Sequence, residues 1–284
     1  MSNNIEEYIN TINCMDNLDF MKQLPNDSID LIYCDILYNT GRKYKDYNDK
    51  LGTPQEAMEW YKPRLVEIHR ILKDIGSVYL QCDYRIVHYL KVEMDKIFGY
   101  ENFRNDIKNK RQQGIANNTI NKLPVITDDI LFYTKSNIYT FKKPYENIIS
   151  DSTLKEYKYD PFLSEYKYED KNGLYALMRT RNYQIRGKNK NYLKDYKGKP
   201  CSDVWNLFLG SGDKERVGYF SQKPKKLLER IINMSSNEND IVADFFCGSG
   251  TTGVVAKKLN RKYILCDNNP KACEISNNRI NKIN

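Results

Sequence analysis

The chain has 284 residues, 40% hydrophobic and 29% charged, with 45 Lys+Arg against 37 Asp+Glu for a formal net charge of +8. That length holds one large domain with an insertion or two small ones, and the apolar content excludes a wholly disordered chain. No run reaches the ~18 apolar residues of a membrane span, and the opening MSNNIEEYIN lacks the basic-then-apolar layout of a secretory signal, so a cytoplasmic protein with no membrane partner is expected.

In chain order, apolar runs that end in an acid or a glycine alternate with helical patterns, the sign of an α/β sheet with crossover helices. Residues 8–16 read as a first strand ending at Asp16-Asn17, and 28–35 (SIDLIYCD) as a second, apolar enough to be buried on both faces. The polar stretch 39–52, containing Arg42 and Lys43, reads as a mobile loop at the carboxyl edge of the sheet. Residues 53–73 carry Thr53 as N-cap and apolar residues at helical spacing, with Pro63 expected to kink the helix; 84–98 repeats the pattern. Strands are expected at 76–82 and 129–134, with a second mobile loop at 111–123 that begins at Arg111. Asp83 reads as an N-cap, and His69 and His88 stand too isolated for a metal or a catalytic dyad.

The domain reading is 1–140 as one half of a domain, 141–212 as an inserted, less regular module, and 213–284 as the other half. Within the insert, residues 171–199 hold nine basic residues, among them Arg179, Arg181, Arg186, Lys188 and Lys190, against one acid, Asp195. The local balance of +8 equals that of the whole chain, and tyrosines punctuate it, as on a surface that tracks phosphates and stacks bases. A solvated charged face is the plainer alternative. Seven cysteines without a C-x-x-C pair argue against a disulfide framework and against a zinc site, so no metal is expected.

The sharpest chemical signal comes late. A strand at 240–246 runs through Asp244-Phe245-Phe246-Cys247-Gly248-Ser249-Gly250-Thr251-Thr252 into a helix at 251–259, and the strand after it, 262–267, ends at Asp267-Asn268. Glycines let a backbone approach a ligand, a helix amino end favours an anionic group, and an acid at the next strand end can accept hydrogen bonds from a ribose. Gly turns also join many strands to helices for structural reasons alone.

DFFCGSGTTG resembles the D-P-F-x-G-S/C-G-T-T motif of S-adenosylmethionine-dependent DNA amino-methyltransferases, and FSQKP followed by LLERII is similar to their T-Q-K-P-x-x-L-L-E-R-I segment. SIDLIYCDILY resembles their S-x-D-L-x-x-x-D-P-P-Y block and precedes the cofactor motif, the order of the β class. The resemblance covers all but about 141–212. It implies a Rossmann-like methyltransferase fold, mostly parallel with helices on both faces, with the insert as target-recognition region and S-adenosyl-L-methionine as cofactor. It further implies catalysis by Asp35, Ile36, Leu37 and Tyr38, with Asp16, Asn17, Gln222, Lys223, the Asp244–Thr252 run, Asp267 and Asn268 about the cofactor, Gln222 and Lys223 near its methionine carboxylate.

An exocyclic base amine is a weak nucleophile because its lone pair is delocalised. Asp35 and the Ile36 carbonyl can accept both amino hydrogens and aim that lone pair at a methyl donor, while Tyr38 stacks on a base turned out of double-stranded DNA. In the family that the block resembles, Asp at the first position is more usual for adenine N6, so the resemblance implies adenine, with cytosine N4 as the alternative. Ile36 and Leu37 replace two prolines, so the turn is expected to be less preorganised, leaving open a DNA- and cofactor-binding protein with impaired catalysis. Pro200-Cys201 is discounted as a cytosine-C5 nucleophile, since it follows a Lys/Gly-rich stretch and precedes the cofactor motif. A homodimer is left open.

Overall fold

The computed structural model describes residues 4–43, 48–111, 121, 123–146, 168–179, 185–195, 197–210 and 212–283. The chain divides into two compact units, 1–142 with 202–284, and 143–201.

In the first unit the elements run β1 (Thr11–Cys14), α1 (Asn17–Met21), β2 (Ile29–Asp35), a short hairpin of β3 (Arg42–Lys43) and β4 (Asn48–Asp49), α2 (Pro54–Ile71), β5 (Leu72–Cys82), α3 (Val87–Phe98), β6 (Phe103–Lys110) and β7 (Thr127–Thr134). The second unit holds β8 (Tyr145–Glu146), β9 (Tyr168–Asp170), β10 (Gly173–Arg179), β11 (Ile185–Tyr192) and β12 (Lys199–Pro200). The chain then returns to the first unit with β13 (Val204–Trp205), α4 (Lys225–Ser235), β14 (Ile241–Asp244), α5 (Thr251–Lys258), β15 (Lys262–Asp267) and α6 (Pro270–Ile280).

Eight strands form one mixed sheet in the order β1-β15-β14-β2-β5-β7-β6-β13. The half from β1 to β5 is parallel throughout, and β7 is antiparallel to both its neighbours. Side chains alternate across a strand, so a strand buried on both faces feeds two cores. In β2, Ile32 and Cys34 pack into one core with Tyr61, Leu65 and Leu90 from α2 and α3, while Leu31 and Tyr33 pack into the other with Leu228, Val255 and Ile280 from α4, α5 and α6. Ala243 and Val242 of β14 divide in the same way. This is the expected Rossmann-like α/β arrangement, with helices on both faces.

Two expectations are corrected. Residues 202–212 fall in the first unit, because β13 pairs in parallel with β6 at the edge of the main sheet, Val204 opposite Lys108. The insert contains ordered antiparallel pairing, β9-β10-β11 and β8-β12, where weak apolar periodicity suggested little regular structure. Helix α2 runs from Pro54 to Ile71 with Pro63 inside it, started by a capping box in which Thr53 and Glu56 each accept the other's backbone N–H. Part of the expected loop 39–52 is the β3–β4 hairpin; 44–47 and 112–120 lie outside the described residues. Composition did not single out β6, whose polar residues FRNDIKNK sit near the sheet edge, nor α6.

Candidate active site

Parallel strands present their carboxyl ends, with the loops that follow, to one edge of a sheet. At that edge a cavity of about 630 Å³ is lined by the residues after β2, β14 and β15, a volume in the range of small-molecule sites.

One side of it is built by the turn from β14 into α5. Gly248 and Gly250 take φ of +49° and +72°, and a Cβ on Gly250 would lie 2.6 Å from Ser276 Oγ, so both the turn and the approach of α6 require glycine there. Asp244 lies beneath the turn, accepting from Phe246 N (3.0 Å) and from Thr252 Oγ1 (2.6 Å), which ties strand end to helix. Burial pushes its carboxyl up to about 7 against those two bonds. The Arg279 guanidinium holds Ser249 O, Ser249 Oγ and Thr251 Oγ1 from behind.

Asp267 bridges two turns, accepting from Gly248 N (2.8 Å) and Asn269 N (2.9 Å); burial raises its pKa and the two bonds oppose that. These bonds use two of the roughly four lone-pair sites of a carboxylate. Asn268 is exposed at the rim. Asp16 is the N-cap of α1, bonded by Leu18 N and Asp19 N, and its second oxygen meets Arg64 at 2.8 Å. Arg64 also donates to Asn17 Oδ1 (2.7 Å), and Asn17 donates to Phe245 O (3.0 Å), so one chain of bonds fixes α2, α1 and the β14 turn together. The guanidinium lies 3.5 Å from the centre of the Trp60 ring, which meets Phe246 edge-on.

On the opposite side stands Asp35, the last residue of β2. Its Oδ1 accepts from Tyr38 OH (2.9 Å) and its Oδ2 forms an ion pair with Lys223 Nζ (2.6 Å), which also reaches Tyr38 OH (3.4 Å). Burial raises the pKa of Asp35, and Lys223 opposes the rise. The turn 36–40, which lacks the two prolines, is tied by its neighbours. Ile36 N donates to Gln81 O (3.1 Å), Tyr61 OH to Leu37 O (2.7 Å), and buried Asp49 takes Asn39 N, Thr40 N and Thr40 Oγ1. Contacts from β5, α2 and β4 supply the order that proline rings would have built in.

Asp35–Tyr38, Asp16, Asn17, Gln222, Lys223, Asp244–Ser249, Thr251, Thr252, Asp267 and Asn268 thus line one cavity. Two of them also make bonds that the sequence did not announce. Lys223 is engaged with Asp35, and Gln222 braces its own loop, accepting from Val217 N (2.9 Å) and donating to Glu215 O (2.7 Å). Exposed Arg42 is at the cavity mouth, whereas Lys43 does not line it. Arg111 lines the cavity and bonds Asp128 (3.2 Å) and Val125 O (2.9 Å). Arg181 and the side chains of Arg179, Arg186, Lys188 and Lys190 lie outside the described part of the structure.

The sequence reading missed a buried polar relay under the cavity: Tyr33 OH donates to Gln81 Oε1 (2.6 Å), and Gln81 Nε2 to Asp128 Oδ2 (2.9 Å). Its members sit on β2, β5 and β7, where only strand pairing brings them together. Asp83, read as an N-cap, is buried at the cavity wall, bonded by Arg85 N and paired with the Arg85 guanidinium. Arg64 did leave a signal, being an arginine within an apolar helical stripe, four residues after Trp60. Among the described residues no cluster of three or more His, Cys, Asp or Glu is placed to hold a metal, and no helix is long and apolar enough to cross a membrane.

An acid-headed turn and a glycine-rich turn facing one cavity at a Rossmann-like sheet edge make a site of the class that binds nucleotide-like ligands. The profile of the DNA methylase family N6_N4_Mtase matches residues 29–278, and the chain belongs to that family of site-specific DNA methyltransferases. It is 29% identical to the type II methyltransferase M1.MboII of Moraxella bovis, over 97% of this chain and 98% of that one. It is 30% identical to M.HpaI of Haemophilus parainfluenzae, over 94% and 73%. Among solved structures, the cytosine-N4-specific PvuII DNA methyltransferase superposes with a TM-score of 0.62 at 15% identity, covering 96% of this chain and 88% of that one. M1.HpyAVI in its complex with SAM superposes at 0.57, with 19% identity, covering 95% and 98%.

Proposed function

We propose that this chain transfers a methyl group from S-adenosyl-L-methionine to the N6 amine of adenine in double-stranded DNA, the target base being turned out of the helix. The observation that carries the reading is that Asp35 and Tyr38 line the same cavity as Gly248, Ser249 and Asp267. The residues present suit such a cofactor. The glycine turn opens α5 where a Cβ would crowd its neighbours, Asp267 retains acceptor capacity for ribose hydroxyls, and Asp16 with Phe246 borders the end suited to the adenine ring.

When bound, that group supplies an electrophilic methyl on a sulfonium centre. Asp35 accepts one hydrogen of the target amine and the Ile36 carbonyl the other, so that the nitrogen lone pair turns out of conjugation and toward the methyl. The Leu37 carbonyl is already bonded to Tyr61 and leaves this work to its neighbours. Tyr38, its hydroxyl anchored on Asp35, presents a ring face on which the base stacks. Direct transfer needs no covalent enzyme intermediate and so calls on no nucleophilic cysteine.

The test is methylation of unmodified DNA followed by nucleoside analysis. N6-methyladenine is expected, and Asp35→Ala should abolish it, by about a thousandfold or more, while cofactor affinity stays within about threefold. N4-methylcytosine would overturn the choice of base, and tight DNA and cofactor binding without product would favour a binding protein instead.

A further inference from the structure

The polar side chains of the cavity are almost all committed to neighbours that hold the fold: Asp244 to α5, Asp16 to α1 and Arg64, Asp128 to Gln81 and Arg111, Gln222 to its own loop. Lys223 differs. Its backbone carbonyl is held by Thr251 Oγ1 (3.3 Å) at the start of α5, and its side chain crosses the cavity to a residue 188 positions away in sequence, Asp35. The two charged groups are only 18% and 15% exposed.

We propose that Lys223 is the positioning residue for Asp35: it keeps that side chain a carboxylate and holds one of its oxygens, so that Asp35 meets the target amine as a pure acceptor. The inference rests on the methyl-transfer reading above. Protonated, Asp35 would present an O–H where the amine also presents hydrogens, and the two donors would repel; ionised, it accepts and orients. The other groups facing Asp35 do not supply this charge. Tyr33 precedes it on β2, Tyr38 follows it in the turn, and Tyr61 reaches the turn from α2; all three are neutral phenols held well above their ordinary pKa by burial. Asp128 on β7 and Asp244 on β14 are acids, which resist a further negative charge. Arg111 is already paired with Asp128.

Lys223 Nζ also lies 5.4 Å from the centre of the Tyr38 ring and 3.4 Å from its hydroxyl, so one ammonium group touches both the acceptor and the stacking platform. It therefore sets the spacing of the two groups that hold the base. Its engagement across the cavity joins the half that carries the glycine turn to the half that carries the DILY turn.

The experiment is single-turnover methylation as a function of pH, with saturating cofactor and DNA, for the wild type, Lys223→Met and Lys223→Arg, each checked for a native melting transition. In Lys223→Met the acidic limb of the rate profile should move up by about one pH unit or more, giving about a tenfold loss on the acidic side that recovers as pH rises. Lys223→Arg, which keeps the charge, should restore the limb. An unmoved limb in folded Lys223→Met would overturn the proposal, and a loss confined to cofactor affinity would return Lys223 to the cofactor carboxylate. Should Asp35→Ala retain turnover, the methyl-transfer reading itself falls; with Asp35→Ala inactive and the limb unmoved, only the role of Lys223 falls.

Discussion

At the residue scale, the cavity is a place where burial and charge oppose each other. Asp244 is 3% exposed and its carboxyl is pushed up to about 7, while an unfolded Asp titrates near 3.8. Between those values the folded chain holds a proton that the unfolded chain has lost, so raising pH through this window favours unfolding. Asp244→Asn removes the titration while leaving an oxygen to accept from Thr252 or Phe246. The stability of the wild type relative to Asp244→Asn should fall as pH rises from about 4 to about 7, by up to about 1.4 kcal/mol per unit, and level off above. Urea unfolding of both proteins at about pH 5 and pH 7.5 measures it, and a difference independent of pH would refute the assignment.

At the element scale, the turn after β2 shows how one order can be reached by different means. Proline at 36 and 37 would confine φ. In this chain the same turn is pinned from outside, by Gln81 O on β5, Tyr61 on α2 and Asp49 on β4. Ile36→Pro would delete the amide that bonds Gln81 O and leave that carbonyl short of a partner at a buried position. A loss of about 1–3 kcal/mol of stability is expected, with no gain in single-turnover rate. A faster enzyme with unchanged melting would mean that the turn is limiting after all. Arg64 illustrates the same logic on a helix: it stands in an apolar stripe because Asp16, Asn17 and the Trp60 ring together accept its guanidinium.

For the whole molecule, the charge excess and the main sheet fall in different units. The first unit carries the cavity; the +8 balance of residues 171–199 lies within the second, the unit proposed for target recognition. Each phosphate neutralised contributes about −0.9 to the slope of log K against log salt, so Arg179→Ala with Arg186→Ala should flatten that slope by about 2 if both touch the backbone. Titration of DNA binding across salt concentrations reads it. A loss shared by all sequences marks phosphate contacts, and a loss confined to the target marks base readout. An unaltered slope would leave the stretch as a solvated face.

The sequence alone determined the Rossmann-like class, because buried parallel strands write their apolar runs, end-acids and glycine turns locally. Asp244, Asp267 and the glycines were legible for that reason, whereas Asp35 and the pairing of DILY with DFFCGSGTT were legible only through the resemblance to the amino-methyltransferase motifs. The partner of Asp35, the Tyr33-Gln81-Asp128 relay, the bond of Arg111 to Asp128 and the outside bracing of Ile36 and Leu37 were decided only by the tertiary structure. Each joins residues about 20 to 190 positions apart across separate strands and helices, and no local propensity records which of several lysines or aspartates a strand order will bring face to face. The fate of residues 202–212 belongs with them, since a two-residue strand has too little pattern to announce itself and is defined by the edge of β6 that it covers.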